Sequence, residues 1–209
     1  VLPPFLFRRA ALVLAAGVLV AGGACSSSSK PKASAPGSPT RTTTAAATGG
    51  LPTLHVNVTA VDDNGTKGPD EATVAAVKAT LDRWLADAVV GPLHAGKPAG
   101  DLSPIFTAAA LERLADPSVR STFVDEGMPP ATTAITPEKL EVTLSSVAGP
   151  DEVVAMVAAR LDLKLRAVGP TSDVDVVHQG EVVLVPDGDG WKIDSFAVRA
   201  SRDSREATP

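Results

Sequence analysis

Apolar and polar residues alternate at Leu54, Val56 and Val58 against His55, Asn57 and Thr59. A period of two predicts a strand with one buried face. Asp62-Asp63-Asn64-Gly65 supplies the turn that closes it. The period then changes. Val74, Val77, Leu81, Trp84, Leu85 and Ala88 recur at steps of three and four, while Lys78, Asp82, Arg83 and Asp87 fall mostly elsewhere on the wheel. That pattern predicts an amphipathic helix. Gly68-Pro69-Asp70-Glu71 starts it, with Pro at the first helical position and acids at the positive end of the dipole. Gly91-Pro92 predicts its end. Ser103-Pro104 opens a second helical segment through Phe106, Leu111 and Leu114. Asp116-Pro117 opens a short third one carrying Val119 and Phe123, stopped by Gly127.

After Pro129-Pro130 the chain becomes strand-like. Leu140, Val142 and Leu144 alternate with Glu141, Thr143 and Ser145, and Gly149-Pro150-Asp151 turns the chain. Val153 to Val168 follows, with Leu161, Leu163 and Leu165 set against Arg160, Asp162, Lys164 and Arg166. Gly169-Pro170 turns again, and Val174 to Val185 is the third strand of the run. Asp187-Gly188-Asp189-Gly190 makes a hairpin from which Trp191 to Val198 returns. One strand, two or three helices and four antiparallel strands predict an α+β domain over residues 51–200, with helices packed on one face of a curved antiparallel sheet. A segment of that length can bury roughly 70% of its extended surface. Residues 201–209 are polar and are predicted to fray.

The first fifty residues follow neither period. Arg8 and Arg9 precede fifteen small or apolar residues, Ala10 to Ala24. A membrane-spanning helix needs about 20. The shorter run with a small-residue end has the form of a signal peptide over residues 1–24. Residues 26–50 are Ser, Thr, Ala, Pro and Gly with scattered Lys and Arg. They cannot bury enough surface to offset chain entropy, so a disordered tether is expected, spanning on the order of 25–30 Å root-mean-square.

Composition narrows the partners. The chain is 44% hydrophobic, yet it has no Tyr and only two Trp. Without residues 1–24 it holds 17 basic against 24 acidic residues, a net charge of −7. No basic stripe runs along it, which excludes nucleic acid as a partner. Cys25 is the single cysteine, so no intrachain disulfide can form. A free thiol on an exported protein invites oxidation, and lipidation would remove it.

Val20-Ala21-Gly22-Gly23-Ala24-Cys25 resembles the lipobox of bacterial lipoproteins. It matches at Gly23, Ala24 and Cys25 and departs at Gly22, where an aliphatic residue is usual. The resemblance implies diacylglyceryl transfer to Cys25, cleavage before it, and anchoring in membrane lipid on the outer face of the cell membrane. Two acyl chains anchor stably where one does not. The Ala-, Val-, Gly- and Pro-rich composition resembles products of GC-rich actinobacterial genomes. The layout of residues 51–200 resembles the NTF2-like, cystatin-like cone fold, through the helix around Trp84, the strand series and the closing Gly190-Trp191-Lys192-Ile193-Asp194-Ser195-Phe196.

Catalytic and metal-binding patterns are weak. His55, His94 and His178 stand at no metal-ligand spacing. Asp187-Gly-Asp189-Gly lacks the later Glu of a calcium loop. No pattern calls for a cofactor. In a cone-fold isomerase His178 or Asp82 would serve as the pocket acid or base; as plain structure, His178 is a strand histidine and Asp82 part of a wet helix face. The expected function is that of a non-enzymatic, membrane-anchored lipoprotein. Its domain would bind a small apolar ligand, with Trp84, Phe106, Phe123, Trp191 and Phe196 lining the cavity, or an envelope protein partner. The alternative is an isomerase or hydrolase of the cell envelope.

Overall fold

The computed structural model describes residues 52–63, 67–128, 134–149, 153–169 and 171–206. The expected signal peptide, Cys25 and the tether lie outside the described residues. Contacts divide the chain after Thr43, and every described residue belongs to the second unit, Thr44–Pro209.

That unit is α+β. A short strand β1 (Asn57–Ala60) precedes helix α1 (Glu71–Trp84), which continues through a π-helical turn (Leu85–Val90) into α2 (Gly91–Ala95). Two short helices follow, α3 (Ala108–Leu114) and α4 (Pro117–Arg120). Four long strands complete the chain: β2 (Ala134–Ala148), β3 (Val154–Val168), β4 (Ser172–Asp187) and β5 (Gly190–Glu206). The strands lie in chain order in one sheet, β1 parallel to β2 and the rest an antiparallel meander. The period of two sets the faces. Leu161, Leu163 and Leu165 are buried with Val174, Val176, Val182 and Leu184 in a single core with the helices. Their neighbours Asp162, Lys164 and Arg166 face away. There Lys139 pairs with Asp162, and Glu138 pairs with Lys164 and Arg166.

Helix α1 begins two residues later than Gly68-Pro69 suggests, at Glu71. Asp70 is the cap, its carboxylate accepting from Thr73 N at 2.8 Å, and Pro69 stands before it. That bond holds the Asp70 carboxyl below the usual carboxylate range. The helix does not end before Gly91-Pro92, contrary to the sequence expectation; it stops at Gly96, which takes a left-handed φ of 60°. The π turn explains how Pro92 is tolerated. Gly91 N bonds to Ala86 O, five residues back. Pro92 has no N–H to offer Ala88 O, and Asp125 N donates to that carbonyl at 2.9 Å instead. The prolyl defect is filled by another segment, so the helix continues.

Ser103-Pro104 does not open a helix. Asp101 accepts from Ser103 N and Ser103 Oγ, both at 2.9 Å, and closes a turn there. Ile105 O and Thr107 N then bond to Ile193 of β5. A backbone already engaged with the sheet cannot be helical, so α3 starts only after Thr107, its N-cap. The tail expected to fray from residue 201 is instead strand as far as Glu206, which pairs with Ser172. Its arginines supply the reason: Arg202 reaches Asp125, and Arg205 reaches Asp175 at 2.6 Å. Residues 207–209 lie outside the described residues.

β4 contains one close approach that only glycine permits. Gly180 has a φ of 148°, and a Cβ there would stand 2.2 Å from Ala197 O of β5. At the β4–β5 turn Gly188 takes a φ of 59°, as the Asp-Gly-Asp-Gly sequence predicts.

Candidate functional site

The inward face of the sheet carries two clusters, one aromatic and one polar. Trp84 stacks on Phe123 with centroids 4.6 Å apart, and Phe123 stacks on Phe196 at 4.8 Å. Phe106 meets both phenylalanines edge-on, at 5.6 and 6.4 Å. Trp84 Nε1 donates to Phe123 O at 3.1 Å, so the indole is satisfied as well as buried. The Arg113 guanidinium covers the outer ring, 4.6 Å from the Phe196 centroid. Four of the five aromatic residues proposed as ligand contacts are therefore brought together, and each spends its surface on the others. Trp191 stands apart, half-buried, on the hairpin beside α1.

Three surface clefts of about 350, 240 and 450 Å³ open elsewhere on the unit. Trp191 lines the first, and none of Trp84, Phe106, Phe123, Phe196 or His178 lines any of the three.

The polar cluster sits beside the aromatic one. His178, on β4, is 1% exposed, and its ring meets Trp84 edge-on at 5.6 Å. Its Nε2 lies 2.6 Å from Asp125 Oδ2. Asp125 is fully buried, and its second oxygen accepts from Arg202 Nε at 2.6 Å. Arg202 also donates to Ser121 O at 2.8 Å. Asp125 N is the group that fills the free carbonyl of Ala88, so the carboxylate is held by its own backbone against the π turn. π turns recur at functional sites. His178 Nδ1 is buried without a hydrogen-bond partner among the described residues. With Nε2–H donating to Asp125 in the neutral ring, Nδ1 is an unfilled acceptor; in the imidazolium it is an unfilled donor.

A carboxylate that orients one imidazole nitrogen and leaves the other free is the geometry of a general base. It is equally the geometry of a buried ionic pin that ties β4, β5 and the segment after α4 together. Burial decides what it does in this conformation: a ring 1% exposed, lining none of the three clefts, is closed to a substrate.

The sequence singled out His178 but neither of its partners. Asp125 stands in Val124-Asp125-Glu126-Gly127, which reads as a helix-ending turn, and Arg202 stands in the stretch expected to fray. Asp82 does not face the core, in contrast to the pocket role considered for it. Its carboxylate accepts from Val56 N at 2.8 Å and Lys78 Nζ at 2.6 Å, and lies 2.9 Å from His55 Nδ1. It takes up the Val56 amide just before β1, whose pairing with β2 starts at Asn57 rather than Leu54. Among the described residues, no group of three or more His, Cys, Asp or Glu side chains is arranged to hold a metal ion.

Protein families, curated proteins and solved structures were compared with this chain, and none matches it.

Proposed function

We propose that this chain is an extracytoplasmic lipoprotein whose folded domain, a cone of the NTF2-like kind, is a non-enzymatic binding module for an envelope protein partner. Residues 1–24 direct export, Cys25 carries the lipid, and residues 26–50 lift the domain from the membrane. The observation that carries the reading is Gly23-Ala24-Cys25 at the end of an uncharged run that follows Arg8-Arg9, with Cys25 the only cysteine.

Two features favour a protein partner over a small apolar ligand. The aromatic residues that would line an apolar cavity are packed on one another. Among the described residues the exposed large hydrophobics are Val61, Val147, Val153 and Met156. Val147 and Met156 are cross-strand neighbours at the turn end of the β2–β3 hairpin. An apolar patch on an otherwise charged sheet face is a common form of interaction surface.

Two experiments test this. Cys25→Ala should move the protein from the detergent phase to the aqueous phase on phase separation; retention in the detergent phase would contradict the anchor. A photo-crosslinker at Met156 should give a discrete adduct in cells that the same probe at Arg199 does not. Identical patterns from both positions would remove the partner surface.

A second reading rests on the unpartnered Nδ1 of His178: an isomerase or hydrolase whose core opens to admit substrate. Diethylpyrocarbonate separates the two. The binding reading expects modification of His55 and His94 in the folded protein with His178 untouched, whereas rapid modification of His178 would favour the enzyme.

A further inference from the structure

The cleft between α1 and the β4–β5 hairpin carries chemistry that neither reading above uses. Its volume of about 350 Å³ lies within the roughly 300–1,000 Å³ typical of small-ligand sites. Ala76 and Ala79 of α1 line its helix side with methyl groups alone. Thr80 Oγ1 donates to Trp191 O at 2.7 Å and ties that wall to the helix, so the gap has a fixed width. Trp191 packs against the core and also lines the cleft. The other tryptophan, Trp84, is fully buried, so Trp191 is the chain's accessible indole.

The charged groups of the lining are two cations and two carboxylates. Lys192 Nζ is matched by Asp187 at 2.7 Å. Arg83 and Asp189 have no side-chain hydrogen bond or ion pair among the described residues. The cleft is therefore lined by a guanidinium and a carboxylate without side-chain partners and by the half-buried indole of Trp191. The charges balance, which disfavours an ionic ligand. An anion would meet Asp189, and a cation would meet Arg83. The complementary molecule is neutral, has an apolar face for the indole, and carries hydroxyls that accept from Arg83 and donate to Asp189. A pyranose ring has all three properties.

We propose that this cleft is a carbohydrate site that takes a neutral pyranose unit, stacked on Trp191 and hydrogen-bonded by Arg83 and Asp189. The site belongs to the folded unit and is independent of Cys25 and of the β2–β3 hairpin surface.

The test uses the full chain in a detergent without a sugar headgroup. The probes are methyl pyranosides of glucose, galactose, mannose and N-acetylglucosamine, their disaccharides, and glucuronate and glucosamine as charged controls. Calorimetry and saturation-transfer NMR are expected to show saturable binding of at least one neutral sugar, with saturation reaching its ring C–H protons. Trp191→Ala should weaken that binding at least about tenfold, and Trp191→Phe, a smaller platform, should fall between. Arg83→Ala and Asp189→Asn, both at exposed positions, should weaken it about three- to tenfold with the unfolding midpoint unchanged. Absence of binding by every neutral sugar at about 50 mM, affinity indifferent to all four substitutions, or preference for a charged control would each overturn the proposal.

Discussion

Replacing Asp125 with Ala removes the centre of the buried polar cluster. The carboxylate accepts from Arg202 and meets His178, each at 2.6 Å, and is itself fully buried. The two partners respond differently. Arg202 is 20% exposed and still holds Ser121 O, so its guanidinium can rehydrate. His178 is 1% exposed and already lacks a partner on Nδ1, so it would lose its other hydrogen bond with no water to replace it. Breaking a buried pair from one side costs about 3–5 kcal/mol, and rehydration of Arg202 places the expectation near the low end. For a domain of this size about 3 kcal/mol corresponds to a fall of roughly 6–12 °C in Tm. Asp125→Asn keeps the shape and one acceptor and should cost about half as much. Urea unfolding of the single variants and of Asp125→Ala/His178→Ala gives the coupling directly, expected above about 1 kcal/mol. A loss below about 1 kcal/mol for Asp125→Ala would refute the reasoning, because it would mean that the carboxylate is neither desolvated nor essential to the ring beside it.

Other consequences follow from the charges and the backbone. The hydrogen bond from Arg120 holds the Glu126 carboxyl below its ordinary range. Burial opposes ionisation of Asp175, yet Arg166 and Arg205 outweigh it and hold that carboxyl low as well. Both groups bind fewer protons folded than unfolded. Their contribution is present above the ordinary carboxylate pKa of about 4 and is lost as pH falls through the lowered folded values. Urea midpoints should therefore decline below about pH 4, less so in Glu126→Gln/Asp175→Asn. A wild-type decline no steeper than that of the double variant would exclude this source. Gly180→Ala should destabilise by about 2–4 kcal/mol, since the new Cβ meets Ala197 O at a φ alanine rarely adopts. Gly100→Ala, with open space around it, should change stability by less than about 1 kcal/mol. Equal midpoints for the two glycine variants would show that the sheet yields at Gly180.

The parts of the fold legible from sequence are those governed by local period. Leu161, Leu163 and Leu165 name the buried face of β3 without help from other segments. Val77, Leu81 and Trp84 do the same for α1. The rest depends on contacts between distant residues. Pro92 reads as a stop, and becomes helical only because Asp125 fills the carbonyl of Ala88. Arg202 and Arg205 look like a solvated tail until Asp125 and Asp175 are placed opposite them. Asp82 has the spacing of a wet helix face, but the amide of Val56 arrives from 26 residues away to occupy it. Of the buried cluster His178 alone was visible, because a histidine in a strand stands out while an acid in a turn does not.

Mass spectrometry of the membrane-extracted protein should find a mature N-terminus at Cys25 whose mass carries a diacylglyceryl group. An N-terminus at any other residue, or an unmodified Cys25, would contradict lipid anchoring.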